Sequence, residues 1–269
     1  MAHHTTLFPP IKLQPWFDKE KLQEKNDKIV TKRFVFDAST IAALQAKFSD
    51  EIGYSPSRSV ALAGFIWTQF RSAILTNKED RNCNWVLANS VNIRPRVKPQ
   101  LSNMHFGNIF TFVPVQVNIK DRQQRSAGPK YNDDARVVSQ MSDAIKSVDT
   151  EYVKYLQKTD VIFNLRQEEV GKLIRGEVMG FTFTSVCKMP IYSDFGWGKP
   201  VFVGSAVLPL KNMVLFWDTK QGGGIEAWIN MEEEDMAKLE TDKEFLAHLN
   251  SSTDPFLLQA LKLNANSRL

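Results

Sequence analysis

Short runs of β-branched and aromatic residues, separated by stretches of helical periodicity, constrain the fold of this chain more than any other feature. The strand-like runs are Ile29–Phe36, Trp85–Ile93, an extended segment within Phe106–Ile119, Val178–Val186, Val201–Leu208, Met213–Trp217 and Ile225–Met231. Pro95 ends the second run, because proline has no N–H to give to a ladder. Gly222-Gly223-Gly224 separates the last two runs and makes a tight turn cheaply, so they pair as a hairpin. Ser39 caps a helix reaching about Phe48, with Ile41, Leu44 and Phe48 on one face. Pro56-Ser57-Arg58 opens a longer helix to about Leu75, whose apolar side holds Val60, Phe65, Ile66, Phe70 and Ile74. Asp133–Leu156 reads as one long helix, Arg166–Ile174 as a short one, and the acidic run Glu232–Asp235 as a helix start favoured by the macrodipole. Helices and strands interleave, so the class is α/β or α+β, with parallel and antiparallel pairing both open. Pro9, Pro10 and Pro15 make residues 1–28 an irregular segment, and residues 29–269 read as one domain.

Charge and composition exclude several functions. Lys plus Arg is 34 and Asp plus Glu is 30, a net charge of 34 − 30 = +4, too small and too evenly spread to imply nucleic acid. The 18 Phe and 6 Trp require a core and exclude a disordered chain. Cys83 and Cys187 are too few for a disulfide framework or a cysteine-rich zinc site. No secretory signal is visible, and no segment approaches the roughly 20 apolar residues that cross a bilayer. The expectation is a cytoplasmic protein with no membrane association.

Self-sufficient catalytic sets are missing. The four histidines, His3, His4, His105 and His248, show no metal-ligand spacing. Neither a GxSxG elbow, a P-loop nor a GxGxxG fingerprint occurs. Cys187 at a strand end reads as a small core residue before it reads as a nucleophile. His105, ahead of Phe106-Gly107-Asn108, is the one histidine placed as a candidate general base, and nothing near it in sequence would orient its ring. The segment that stands out is Tyr192–Pro200, YSDFGWGKP. Gly196 and Gly198 permit positive φ or close backbone approach around Trp197. Asp194 is expected to be enclosed by Phe195 and Trp197, and an enclosed carboxylate needs a cation or several N–H donors.

DFGWGKP resembles the signature of the plant BAHD acyltransferases, which use acyl-CoA thioesters. Other segments agree in order. Ser57–Trp67 (SRSVALAGFIW) resembles a family helix, and Asn92-Ile93-Arg94-Pro95-Arg96 with Gly107-Asn108 resembles the family's N-x-R-x-R … GN stretch. Thr184-Ser185-Val186-Cys187-Lys188 resembles its TSWCR strand, with Val186 where Trp is usual, and Gly223–Trp228 resembles its closing hairpin. The resemblance covers nearly the whole chain and is nearest the vinorine synthase-like and acylsugar acyltransferase-like members. One departure is that only Ser193 lies between Tyr192 and Asp194, where the family has two residues.

The resemblance implies an α/β, chloramphenicol-acetyltransferase-like domain with a mixed sheet flanked by helices. It implies the C-terminal portion of a two-domain fold, with residues 1–28 matching the inter-domain crossover and most of the N-terminal half absent. It implies acyl-CoA as co-substrate, a small-molecule alcohol as acceptor and no metal. Carried over residue by residue, Asp194, Phe195, Gly196, Trp197 and Gly198 form the structural signature, with Arg94 as the cation paired to Asp194. Thr184 and Ser185 line the thioester end of the CoA tunnel, and Ser57 and Arg58 at a helix start take a phosphate. The family's general base is the His of HxxxD. No His here is followed four positions on by Asp: those positions hold Leu7, Phe8, Ile109 and Ser252. The expectation is therefore a chain inactive alone, which self-associates or pairs with a full-length relative through an exposed domain face.

Overall fold

The computed structural model describes residues 28–74, 84–118, 132–157, 171–173, 175–206, 208 and 211–249. All but Lys28 of the irregular segment expected over 1–28, the polar loop over Arg122–Lys130 and most of the helix expected over Arg166–Ile174 lie outside them.

The described elements are β1 Ile29–Phe36, α1 Ala38–Ile52, α2 Arg58–Ile74, β2 Asn84–Asn92, β3 Phe110–Asn118, α3 Asp133–Ser147, α4 Thr150–Leu156, β4 Val178–Ser185, β5 Met213–Asp218, β6 Ile225–Glu232, α5 Glu233–Thr241 and α6 Lys243–Ala247. The strands form one mixed sheet in the order β1-β6-β5-β4-β2-β3. β2, β4 and β5 run parallel, and β3, β6 and β1 join antiparallel.

Period-two alternation divides the sheet into two faces. Phe34, Phe36, Trp85, Leu87, Phe181, Phe183, Val214, Phe216, Ala227 and Ile229 form one face, on which α1, α2, α3, α5 and α6 build the main core. α2 is the centre of that layer, and every residue from Val60 to Trp67 is buried. Gly64 lets α2 approach α3, since a Cβ there would fall 2.2 Å from Val138 Cγ2. The other face carries Arg33, Trp217, Glu226 and Trp228. From the segment joining β4 to β5, Phe202 lies against Trp228, Tyr192 bonds Glu226, and the Leu208 carbonyl accepts from Asn230.

The hairpin at Gly222-Gly223-Gly224 forms as expected, with Gly222 and Gly223 at φ 79° and 77°. Three expectations are corrected. Among its described residues, 201–206 and 208, the run expected over Val201–Leu208 forms no strand: it meets the sheet through contacts such as Phe202 on Trp228, not a hydrogen-bonded ladder. Asp133–Leu156 is two helices, because Asp149 accepts from Tyr152 N at 2.7 Å and caps α4. Asp37, not Ser39, caps α1, accepting from Thr40 N at 2.7 Å.

Candidate functional site

Three parallel strands end along one edge, and a helix starts above it. β2, β4 and β5 point their carboxyl ends the same way, and α2 begins over those ends. Between them Ser59, Val60, Asn89, Ser90, Ile145, Phe183, Ser185 and Phe216 line a small cleft. Its volume is about 30 Å³, room for a water-sized group or two. The carboxyl ends of parallel strands are where open α/β sheets generally take ligands. Ser57 caps α2, its Oγ accepting from Val60 N at 3.3 Å. The first N–H groups of a helix have no partner within it and carry the positive end of its dipole, so α2 delivers donors to the cleft.

Around this edge the backbone is tied down by one carboxylate. Asp218, the last residue of β5, accepts from Arg58 Nη2 at 2.6 Å and from Lys188 N at 2.6 Å. Arg58 Nη1 also donates to Gly223 O at 2.8 Å. Arg58 therefore joins the start of α2 to the β5–β6 hairpin. Arg58 was expected at a phosphate; in the structure its Nη2 goes to Asp218 and its Nη1 to the Gly223 carbonyl. Burial pushes the Cys187 thiol up, with the Asp218 charge adding to it, which is the opposite of what a thiolate nucleophile needs.

The signature loop is built differently from what its sequence suggests. Asp194 is exposed, and its Oδ1 accepts from Gly196 N at 2.8 Å and Gly198 N at 2.9 Å. These two N–H groups hold its carboxyl below the usual range. Gly196 and Gly198 sit at φ 108° and 110°, where a side chain would be strained. Phe195 and Trp197 stack on each other at 5.9 Å, and are 70% and 85% exposed.

The expected ion pair between Asp194 and Arg94 is not formed. Arg94 is committed to the loop that follows it: Nε and Nη2 donate to His105 O at 3.1 and 2.9 Å, and Nη2 to Gly107 O at 2.6 Å. Nη1 reaches Ile109 O at 3.5 Å and Asn92 Oδ1 at 3.3 Å. Each partner's needs are met locally, so neither seeks the other.

The family model described as the Transferase family matches residues 3–246. The chain belongs to this family, the plant BAHD acyltransferases. Stemmadenine O-acetyltransferase of Catharanthus roseus is 32% identical over 256 residues, covering 93% of this chain and 53% of that protein. Epi-neemfruitin B synthase of Melia azedarach is 31% identical over 255 residues, covering 93% and 56%. The BAHD chain thus spans about half the length of the curated relatives it matches. Crystalline vinorine synthase superposes with a TM-score of 0.62 at 27% identity, over 93% of this chain and 53% of that one. A Fusarium graminearum protein solved with coenzyme A and deoxynivalenol has a TM-score of 0.65 at 17% identity, over 84% and 50%, a likeness of fold alone.

Within this BAHD chain the expected site residues divide. Ser185 lines the cleft; Thr184, its neighbour on β4, alternates to the other face and is not among the lining residues. Ser57 stands at the cleft-side end of α2 as a cap. His105 does not line the cleft: its Nδ1 lies 3.0 Å from Ser102 O, and its carbonyl serves Arg94.

One residue that sequence reasoning did not single out, Glu226, is bonded by Tyr192 at the start of the signature segment. Glu226 is only 2% exposed. Its Oε2 accepts from Arg33 Nε at 2.7 Å and Trp217 Nε1 at 3.0 Å, and its Oε1 from Tyr192 OH at 3.2 Å. A carboxylate at an alternate position of the Ile225–Met231 run, opposite a basic residue in Ile29–Phe36, was the available signal. Among the described residues no group of His, Cys, Asp and Glu is placed to hold a metal, and no helix is long and apolar enough to cross a membrane.

Proposed function

We propose that this chain binds an acyl-CoA thioester at the cleft beneath the start of α2 and serves acyl transfer to an alcohol. The observation that carries the reading is the convergence of a helix N-terminus and the Ser185 hydroxyl at the carboxyl ends of three parallel strands. The chemistry of these groups fits such a ligand. The first-turn N–H groups of α2 that Ser57 does not take suit an anion or a carbonyl oxygen. The Ser185 Oγ accepts from Cys187 N at 3.4 Å, which leaves its own proton to donate to a thioester oxygen as negative charge develops there.

In the reaction a base takes the proton of the acceptor hydroxyl, the hydroxyl oxygen attacks the thioester carbonyl, and the C–S bond breaks to release the CoA thiol. The base is the part this sequence does not offer. No His–x–x–x–Asp occurs in it, and His105 is directed to Ser102 and not to the cleft. Without a base, assistance of roughly 10²–10⁴-fold is lost. We therefore infer that residues 1–269 bind CoA and that turnover requires a base from outside them.

The test is thiol release from acetyl-CoA by the purified, folded chain against a panel of alcohols, beside light scattering for its mass. The reading expects CoA binding without turnover by the chain alone. Turnover that vanishes in His105→Ala would contradict the absence of a base.

A further inference from the structure

Asn89 does not fit its place in the sheet. It lies on the helix-facing side of β2, between Leu87 and Val91, where the alternation calls for an apolar residue. It is 5% exposed, and its Nδ2 has no hydrogen-bond acceptor among the described residues. A buried donor without an acceptor is destabilising, and an apolar side chain of similar size would avoid that loss. Asn89 also lines the cleft, with Ser59, Ser90 and Ser185.

The size and charge of this place restrict what could satisfy the amide. The cleft offers about 30 Å³ around the amide, room for a water-sized polar group or two, so what meets Nδ2 is one small acceptor group of whatever ligand enters. A carboxamide N–H is a neutral donor, suited to a neutral carbonyl oxygen. In CoA the carbonyl oxygens belong to the pantetheine arm, which carries two amides and, when acylated, the thioester. The nucleotide end has none.

Building on the acyl-CoA reading, we propose that Asn89 is a binding residue whose Nδ2 donates to a carbonyl oxygen of the pantetheine arm. The amide is held in a fixed orientation by the strand, and the ligand completes its hydrogen bonding.

Calorimetric titration with two probes separates this from the broader reading. One probe is CoA, and the other is adenosine 3′,5′-bisphosphate, which has the nucleotide phosphates without the arm. The wild-type chain is expected to bind CoA more tightly than the bisphosphate. Asn89→Leu is expected to weaken CoA binding about fivefold to tenfold and leave the bisphosphate unchanged. Its Tm is expected at or above that of the wild type, because a buried unpaired donor has gone, whereas loss of a structural amide would lower it. Asn89→Ala gives the same ligand comparison if the leucine variant does not fold.

Equal CoA affinity in wild type and variants, as when a bound water satisfies the amide, would overturn the proposal and leave CoA binding standing. Equal weakening of both probes would overturn it as well. Failure of the wild-type chain to bind either probe would refute the acyl-CoA reading itself, and the role of Asn89 with it.

Discussion

Asp194 and Glu226 are two carboxylates in neighbouring parts of the molecule, and the fold treats them oppositely. Asp194 lies in the signature loop, exposed, and closes on the N–H groups of Gly196 and Gly198. Glu226 lies in the sheet below, almost fully buried, and collects Arg33, Trp217 and Tyr192. Glycines gather around the first, while the second is a single letter in an apolar run. The structural burden is reversed. A carboxylate beside two glycines satisfies itself from the backbone, whereas one in the middle of a sheet must recruit side chains from other strands. Tyr192 links the two regions, because it leads into the loop and ends on Glu226.

Substitutions test this contrast in order of effect. Glu226→Ala should be the most damaging. It removes the buried carboxylate that pairs with Arg33 and accepts from Trp217 Nε1 and Tyr192 OH, and breaking such a buried network costs about 3–5 kcal/mol. At roughly 2–4 °C per kcal/mol for a chain of this size, Tm should fall by about 10 °C or more in a thermal melt. Arg94→Ala should come next. Its guanidinium holds the carbonyls of His105, Gly107 and Ile109, and loss of these charge-assisted bonds should lower stability by about 2 kcal/mol in denaturant titration.

Asp37→Ala removes the α1 cap and should lose about 1 kcal/mol. The bond from Thr40 N, aided by Ser39, holds the Asp37 carboxyl below its ordinary value of 3.8. A folded pKa below the unfolded one means that this contribution is fully present above the unfolded value. It fades as pH falls through the folded one. The wild-type advantage over Asp37→Ala should therefore be constant near neutrality and shrink only below about pH 4. Asp194→Ala should have the smallest effect, with no measurable change in Tm. Its mark should be local, as faster amide exchange at Gly196 and Gly198. A melt in which Asp194→Ala falls as far as Glu226→Ala would break the comparison.

Much of the fold is legible in the sequence because it rests on local periodicity. β2, β4 and β6 appear within a residue or so of where their β-branched runs place them, and the triple glycine marks the hairpin. The aromatic positions Phe65 and Phe70 fall on the core side of α2 as their spacing indicates. The errors have physical causes of other kinds. Val201–Leu208 has strand-like composition because Phe202 packs on Trp228, and composition does not separate packing on a sheet from pairing within it. The break before α4 turns on one aspartate side chain, Asp149, that competes for the helix backbone.

The site was less legible than the fold. Ser57 and Ser185 are near the cleft because strand ends and a helix start converge there, and that can be argued from a motif. Thr184 does not line the cleft beside Ser185, a difference that a two-residue motif on one strand does not reveal. Arg94 was expected on Asp194 but binds loop carbonyls, and Arg58, expected at a phosphate, is paired with Asp218. Asn89 is invisible from the sequence, because only burial and the lack of an acceptor mark it.

The measurement that goes most directly to the centre of this account is hydrogen–deuterium exchange of the purified chain with and without saturating CoA. The account predicts slower exchange confined to the first turn of α2, the β4 end from Ser185 to Lys188, and Asn89-Ser90 on β2. Protection centred on the 190–206 loop instead, or no protection anywhere in a folded sample, would contradict it.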